Sequence, residues 1–182
     1  LARGQVSAAR AFLDHAIALT PSDPTALILR ARALARLGLT PDALTDYTQA
    51  FALLATPSPE LYLERAALFA SPADALRSLA DAFVRLGPVI SLQLRALDLE
   101  VALRRFDDAL TRVDLLTSAS ERRELWLKRR GDILVSAGRH AEARAAYVEA
   151  QTAIAALPAW LVTSPDTVRL SIELTRLATT TP

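Results

Sequence analysis

The chain of 182 residues contains no cysteine and no methionine, only five glycines, and few aromatic residues (5%). Without cysteine there can be no disulfide and no thiolate metal site, although this leaves the compartment open. Gly4, Gly38, Gly87, Gly131 and Gly138 are all isolated, so no glycine-rich loop is present to cradle a phosphate. HExxH, CxxC and GxSxG are absent as well, which removes the usual signatures of zinc and serine hydrolases. Asparagine does not occur, and Lys128 is the single lysine among 21 basic residues. A formal net charge of +1 provides no overall field to recruit nucleic acid or an anionic membrane. The uncharged stretch 151–165 is too short to cross a bilayer and is interrupted by Pro158, so no transmembrane segment is expected, and cytoplasmic and exported locations both stay open. With no initiator methionine, the chain is expected to be processed or partial. Its 36 alanines and its preference for arginine over lysine fit a GC-rich bacterial genome.

What remains is rich in apolar residues (52%) and carries 23% charged residues, a composition that folds. Ser, Thr or Asp precedes eight of the ten prolines, and such pairs mark helix starts. Apolar residues then recur at helical spacing, as in Leu27, Ala31, Leu34 and Leu37. The pattern predicts helices at about 5–19, 24–37, 41–54, 59–70, 72–86, 89–103, 106–116, 121–136, 139–156 and 165–178, with short connections that force antiparallel neighbours. No alternating strand pattern is present. The expected class is all-α.

These helices repeat in step. Thirty-four residues separate Gly4 from Gly38, Ala9 from Ala43, Leu13 from Tyr47 and Ala16 from Ala50. One hundred residues separate Ala31, Leu34, Gly38, Ala43, Tyr47 and Ala50 from Gly131, Leu134, Gly138, Ala143, Tyr147 and Ala150. Small residues at these places let two helices approach closely, and a larger side chain there would overpack the contact. The frame resembles the tetratricopeptide repeat family. That resemblance implies a right-handed α-α superhelix of antiparallel helix pairs spanning 1–182 as a single solenoid, with a half repeat at 1–21 and repeats at about 24–55, 59–86, 89–116 and 121–156. A capping helix at about 165–178 is expected to cover the last hairpin. The first unit lacks a first helix, so the natural protein is expected to extend further N-terminally.

Little suggests chemistry. His15 and His140 belong to different units and are not expected to share a metal ion. Asp107 and Asp108 fit the N-terminal charge preference of a helix, and no catalytic residue, cofactor or metal is expected. The segment from Glu121 to Arg144 carries a local basic excess, read as a solvated helix face in preference to a site for an acidic tail. Trp126 is expected in the core, and Trp160 is expected to seal the C-terminal end. The resemblance further implies a concave groove lined by the first helix of each hairpin. Residue by residue, this assigns Ile28, Leu29 and Arg32, then Leu63, Glu64 and Ala67, then Gln93, Leu94 and Leu97, and finally Lys128, Arg129 and Asp132. The expected function is a non-enzymatic scaffold that binds a peptide or helix of a partner protein there. A docking module of a larger enzyme and a self-assembling protein are the alternatives. The chaperone-tail subgroup of the family is excluded, because its Lys, Arg and Asn constellation is missing.

Overall fold

The computed structural model describes residues 3–181, with nothing assigned to the side chain of Arg3. Every regular element among the described residues is an α-helix. The chain falls into two compact units divided between Leu92 and Gln93. The first contains α1 (Arg3–Leu19), α2 (Pro24–Arg36), α3 (Thr40–Leu53), α4 (Pro59–Ala67), α5 (Pro72–Ser78) and α6 (Ala80–Leu86). The boundary lies within α7 (Ile90–Ala102), and the second unit continues with α8 (Phe106–Ser118), α9 (Arg123–Ser136), α10 (His140–Ala155), α11 (Ala159–Val162) and α12 (Pro165–Thr180).

In the first unit α2 packs along α3 and also against α1, while α4 meets α5 and α6. In the second, α9 packs along α10 and against α8, and α12 lies on α10. The small residues predicted at the crossings are where the helices meet: Ala31, Ala43, Ala50, Ala66, Ala82, Ala96, Ala143 and Ala150 are fully buried. Gly131 shows why size is restricted. A Cβ placed on it would lie 2.2 Å from Cε1 of Tyr147, so even alanine would displace the ring.

Two of the three long hairpins turn on a glycine with positive φ, Gly38 (80°) and Gly138 (74°). Each closes a Schellman turn, in which the amide after the glycine donates back to the last helical turn (Leu39 to Leu34, 2.9 Å; Arg139 to Leu134, 2.8 Å). The α7–α8 connection makes the same turn with Arg104 at φ 58°, and Arg105 donates to Glu100 at 2.9 Å. A left-handed non-glycine residue stores roughly 1–2 kcal/mol, and the sequence offered no glycine to mark this turn.

Three predicted boundaries change. The helix expected over 72–86 breaks at Leu79, because the Ser78 hydroxyl occupies the Ala75 carbonyl (2.7 Å) and Arg65 occupies the Ser78 carbonyl (2.6 Å). The Leu79 amide turns to Leu76 instead (3.1 Å), and its side chain is fully buried. Thr40 does not cap its helix; it lies inside α3, which follows directly from the Gly38 turn. The segment before α12 holds the short helix α11, and Trp160 within it is 72% exposed, so it does not seal that end. Trp126 is half-buried against the core of the second unit, as expected.

The left-handed Arg104 yields a direct prediction. Arg104→Gly should raise stability by about 0.5–1 kcal/mol, after allowing for the lost cation–π contact with Phe106, as read from the midpoint of urea unfolding.

Candidate functional site

In the first unit, the side chains of the predicted groove form a connected group on α2, α3 and α4. Arg32 donates to both carboxylate oxygens of Glu64 (Nε 2.8 Å, Nη2 2.9 Å), and the Tyr47 hydroxyl donates to the same carboxylate at 2.7 Å. Arg32 holds the Glu64 carboxyl below its ordinary value, and Tyr47 adds to this against the opposing effect of burial. Burial in turn pushes the Tyr47 phenol up, as does its bond to Glu64. Ile28 and Leu63 are half-buried, and Leu29 and Ala67 are exposed.

The second unit treats its predicted residues differently. Lys128 bridges Asp132 (3.1 Å) and Glu173 (3.2 Å), Arg129 pairs with Asp98 (2.5 Å), and Asp132 accepts the Tyr147 hydroxyl at 3.1 Å. Gln93 accepts from Arg112, which also grips the buried Glu100 with two bonds. The local basic excess is thus spent on internal pairs: Arg130 meets Asp114, Arg139 meets Glu142 and Asp107, and Arg122 meets the fully buried Glu124. Leu94 is 41% exposed, whereas Leu97 is fully buried among Ala109, Val113 and Leu127. Leu97 is therefore a core residue, and its assignment to the groove is corrected. It shares a face with Val101, and that face points into the unit.

An apolar cleft lies between α1 and α2. Val6, Phe12 and Leu13 from α1 and Leu29 and Ala33 from α2 line a cleft of about 540 Å³, together with Arg32 and Arg36. Phe12 is 73% exposed and Leu29 45%. Only Leu29 and Arg32 had been assigned to a binding face from sequence. The signal for the rest was present: Phe12 stands 34 residues before Asp46, which grips Arg30 through two 2.7 Å bonds in the core of the next hairpin. An apolar residue at that place has no ion pair to make.

Among the described residues no group of three or more His, Cys, Asp and Glu side chains is placed to hold a metal ion. Nor is any helix there long and apolar enough to cross a membrane. The histidines differ in setting: His15 is exposed on α1, while the Nδ1 of His140 is buried at the start of α10 without a hydrogen bond.

Because the Glu64 carboxyl is depressed in the folded chain, its contribution is present above the ordinary value of 4.5 and is lost as pH falls through the lower folded value. Glu64 is partly exposed, so Glu64→Gln should flatten the acid loss of stability by only about 0.5 kcal/mol, measured as the change in urea midpoint between mildly acidic and strongly acidic buffer.

The described geometry has solved counterparts. MamA is 16% identical with a TM-score of 0.62, over 82% of this chain and 89% of that one. YrrB, a TPR protein with an unusual peptide-binding site, is 14% identical with a TM-score of 0.62, over 95% of this chain and 84% of that one. A tetratricopeptide repeat protein from Parabacteroides merdae ATCC 43184 is 18% identical with a TM-score of 0.54, over 98% of this chain and 73% of that one. At these identities the likeness establishes the fold. No curated protein matches the chain. The family described as tetratricopeptide repeat-like domain matches residues 69–163, just over half of the sequence, and the in-step small residues and shared hairpin turns agree with it. The chain belongs to the tetratricopeptide repeat-like family.

Proposed function

We propose that this chain is a non-enzymatic interaction module that receives an amphipathic helix of a partner protein in the cleft between α1 and α2. The carrying observation is the uncovered apolar lining of that cleft, with Phe12 and Leu29 turned to solvent and two arginines among its lining residues. A helix presenting apolar residues at spacings of three and four would bury this lining, and an acidic residue beside the stripe would meet Arg36, since Arg32 is already held by Glu64. The fold supports the reading, since members of this family commonly mediate protein–protein interaction and YrrB carries a peptide-binding site.

Of the residues assigned from sequence, Leu29 and Arg32 belong to this cleft. Ile28, Leu63, Glu64, Gln93, Leu94, Lys128, Arg129 and Asp132 are proposed as further contacts on first helices, with their charges already balanced by neighbours. A strongly acidic tail is the less favoured ligand, because Arg32, Lys128 and Arg129 would each have to leave a carboxylate. The repeat frame runs in sequence from Gly4 to Ala150, which supports reading 1–182 as one repeat domain, with a half repeat, four hairpins and a terminal helix.

The test is a selection of helical peptides from a displayed library on the immobilised chain. Enriched sequences should share an apolar stripe flanked by acidic residues, and Phe12→Asp should weaken them at least about tenfold at unchanged helicity. Absence of enrichment, or binders indifferent to Phe12→Asp, would contradict the cleft as the receptor.

A further inference from the structure

We infer that the cavity between α3, α4 and α5 binds a carboxylate that carries an apolar group, and that Arg65 holds it. This site is separate from the α1–α2 cleft and does not rest on it.

The repeat frame shows what is missing there. In α2, α4 and α9 an arginine stands one place before the small residue of the crossing: Arg30 before Ala31, Arg65 before Ala66 and Arg130 before Gly131. Arg30 is held by Asp46 on its own second helix, with Nε and Nη2 each at 2.7 Å, and by Asp14 on the preceding helix at 3.0 Å. Arg130 is held by Asp114 on the preceding helix at 2.8 Å. These acids have fixed places. Asp46 follows Ala43 by three residues, while Asp14 and Asp114 follow Ala9 and Ala109 by five. Around Arg65 the same two places hold Ser78, three after Ala75, and Thr48, five after Ala43. Both acids have become hydroxyls.

Arg65 is consequently left without a carboxylate of its own. Its guanidinium carbon lies 4.6 Å from the ring centre of Phe51 and 5.5 Å from that of Tyr62, and Nη2 donates to the Ser78 carbonyl at 2.6 Å. Nε is buried with no acceptor, and Nη1 makes no hydrogen bond among the described residues. Asp81 attracts the cation without bonding it, and already accepts the Tyr62 hydroxyl at 2.9 Å. Burial pushes the Arg65 guanidinium below its ordinary value against that attraction, whereas the bonds to Asp46 raise Arg30. A half-buried cation in this state gains from any anion that reaches it.

The space beside it is open. Arg65 lines a cavity of about 340 Å³ with Leu44, Thr48, Phe69, Asp74, Arg77 and Ser78, a volume in the range that accepts a small organic group. Arg77 is paired with Asp74 at 3.2 Å, so Arg65 supplies the one unbalanced charge of the lining and favours a singly charged oxyanion over a phosphate dianion. The Thr48 and Ser78 hydroxyls already donate to the Leu44 and Ala75 carbonyls (2.8 and 2.7 Å), so they give room and not bonds. Leu44 and Phe69 offer apolar contact to the remainder of the ligand. An incoming carboxylate thus takes the part that Asp14 plays beside Arg30, with a charge-assisted bond to a guanidinium already fixed by its two rings.

Titration of the 182-residue chain with benzoate, acetate and inorganic phosphate, followed through the arginine Nε–H resonances, tests this. Benzoate should shift the Arg65 signal and bind at least about tenfold more tightly than acetate or phosphate. Arg65→Gln should abolish that binding. Thr48→Asp should weaken it at least about tenfold without lowering the urea midpoint, because the added carboxylate would close the site from within as Asp14 does beside Arg30. Thr48 is exposed, so this variant carries the test if Arg65→Gln fails to fold. An Arg65 signal unmoved by benzoate, binding indifferent to Thr48→Asp, or phosphate bound as tightly as benzoate would each overturn the inference. A helical peptide with one aspartate, compared with its asparagine counterpart, separates the two sources of the acid. Binding tighter than that of benzoate and lost with asparagine assigns the carboxylate to a partner protein, and weaker binding assigns it to a small free acid.

Discussion

The packing of each hairpin depends on close approach between helices at positions too small to obstruct it. Gly131 against the ring of Tyr147 is the extreme case, and the buried alanines at 31, 43, 50, 143 and 150 repeat the arrangement. Small residues on one helix create a hollow, and a large aromatic on the other fills it. The result is close packing at these crossings. Because the hollow recurs at a fixed place in the frame, each hairpin presents neighbouring helices with the same surface, and stacking follows.

Polar groups decorate this seam instead of defining it. Asp46 in one hairpin and Arg112 in another hold the same place on the second helix with opposite charge, and each finds a partner of the other sign on the first helix, Arg30 and Glu100. An exchange of that kind is tolerated when the pair satisfies itself, because its net contribution is small compared with the cost of leaving one member buried and alone. The same economy neutralises Lys128, Arg129 and Arg139, which in sequence had the look of a basic patch. What the seam leaves uncovered is apolar surface, and the proposed function rests on it.

Helical class, hairpin register and the buried small residues were legible in the sequence because each follows from spacing alone. Turn chemistry was less so. Gly38 and Gly138 announced their turns, but Arg104 adopts the same left-handed conformation without a glycine to mark it. The break at Leu79 depends on Arg65 and Ser78 capturing carbonyls, a tertiary event that no local pattern encodes. At the candidate site, Leu29 and Arg32, assigned to a groove from sequence, line the apolar cleft of the proposal, while Leu97, assigned to the same groove, belongs to the core. That error arose from carrying one hairpin's facing rule onto α7, where the burial pattern is rotated toward Ala109 and Val113. Phe12 was missed because an apolar residue on a helix reads as core until its partner helix is known to be absent from the described chain.

The central claim is that one frame position is closed inside the stack and open at α1. Ala43 and Ala9 occupy that position 34 residues apart, the first fully buried and the second exposed. Urea unfolding of Ala43→Leu and Ala9→Leu, compared at low protein concentration, measures the difference directly. The account predicts a loss of about 1–3 kcal/mol or more for Ala43→Leu and a change within about 0.5 kcal/mol for Ala9→Leu. Equal costs at the two positions would contradict it.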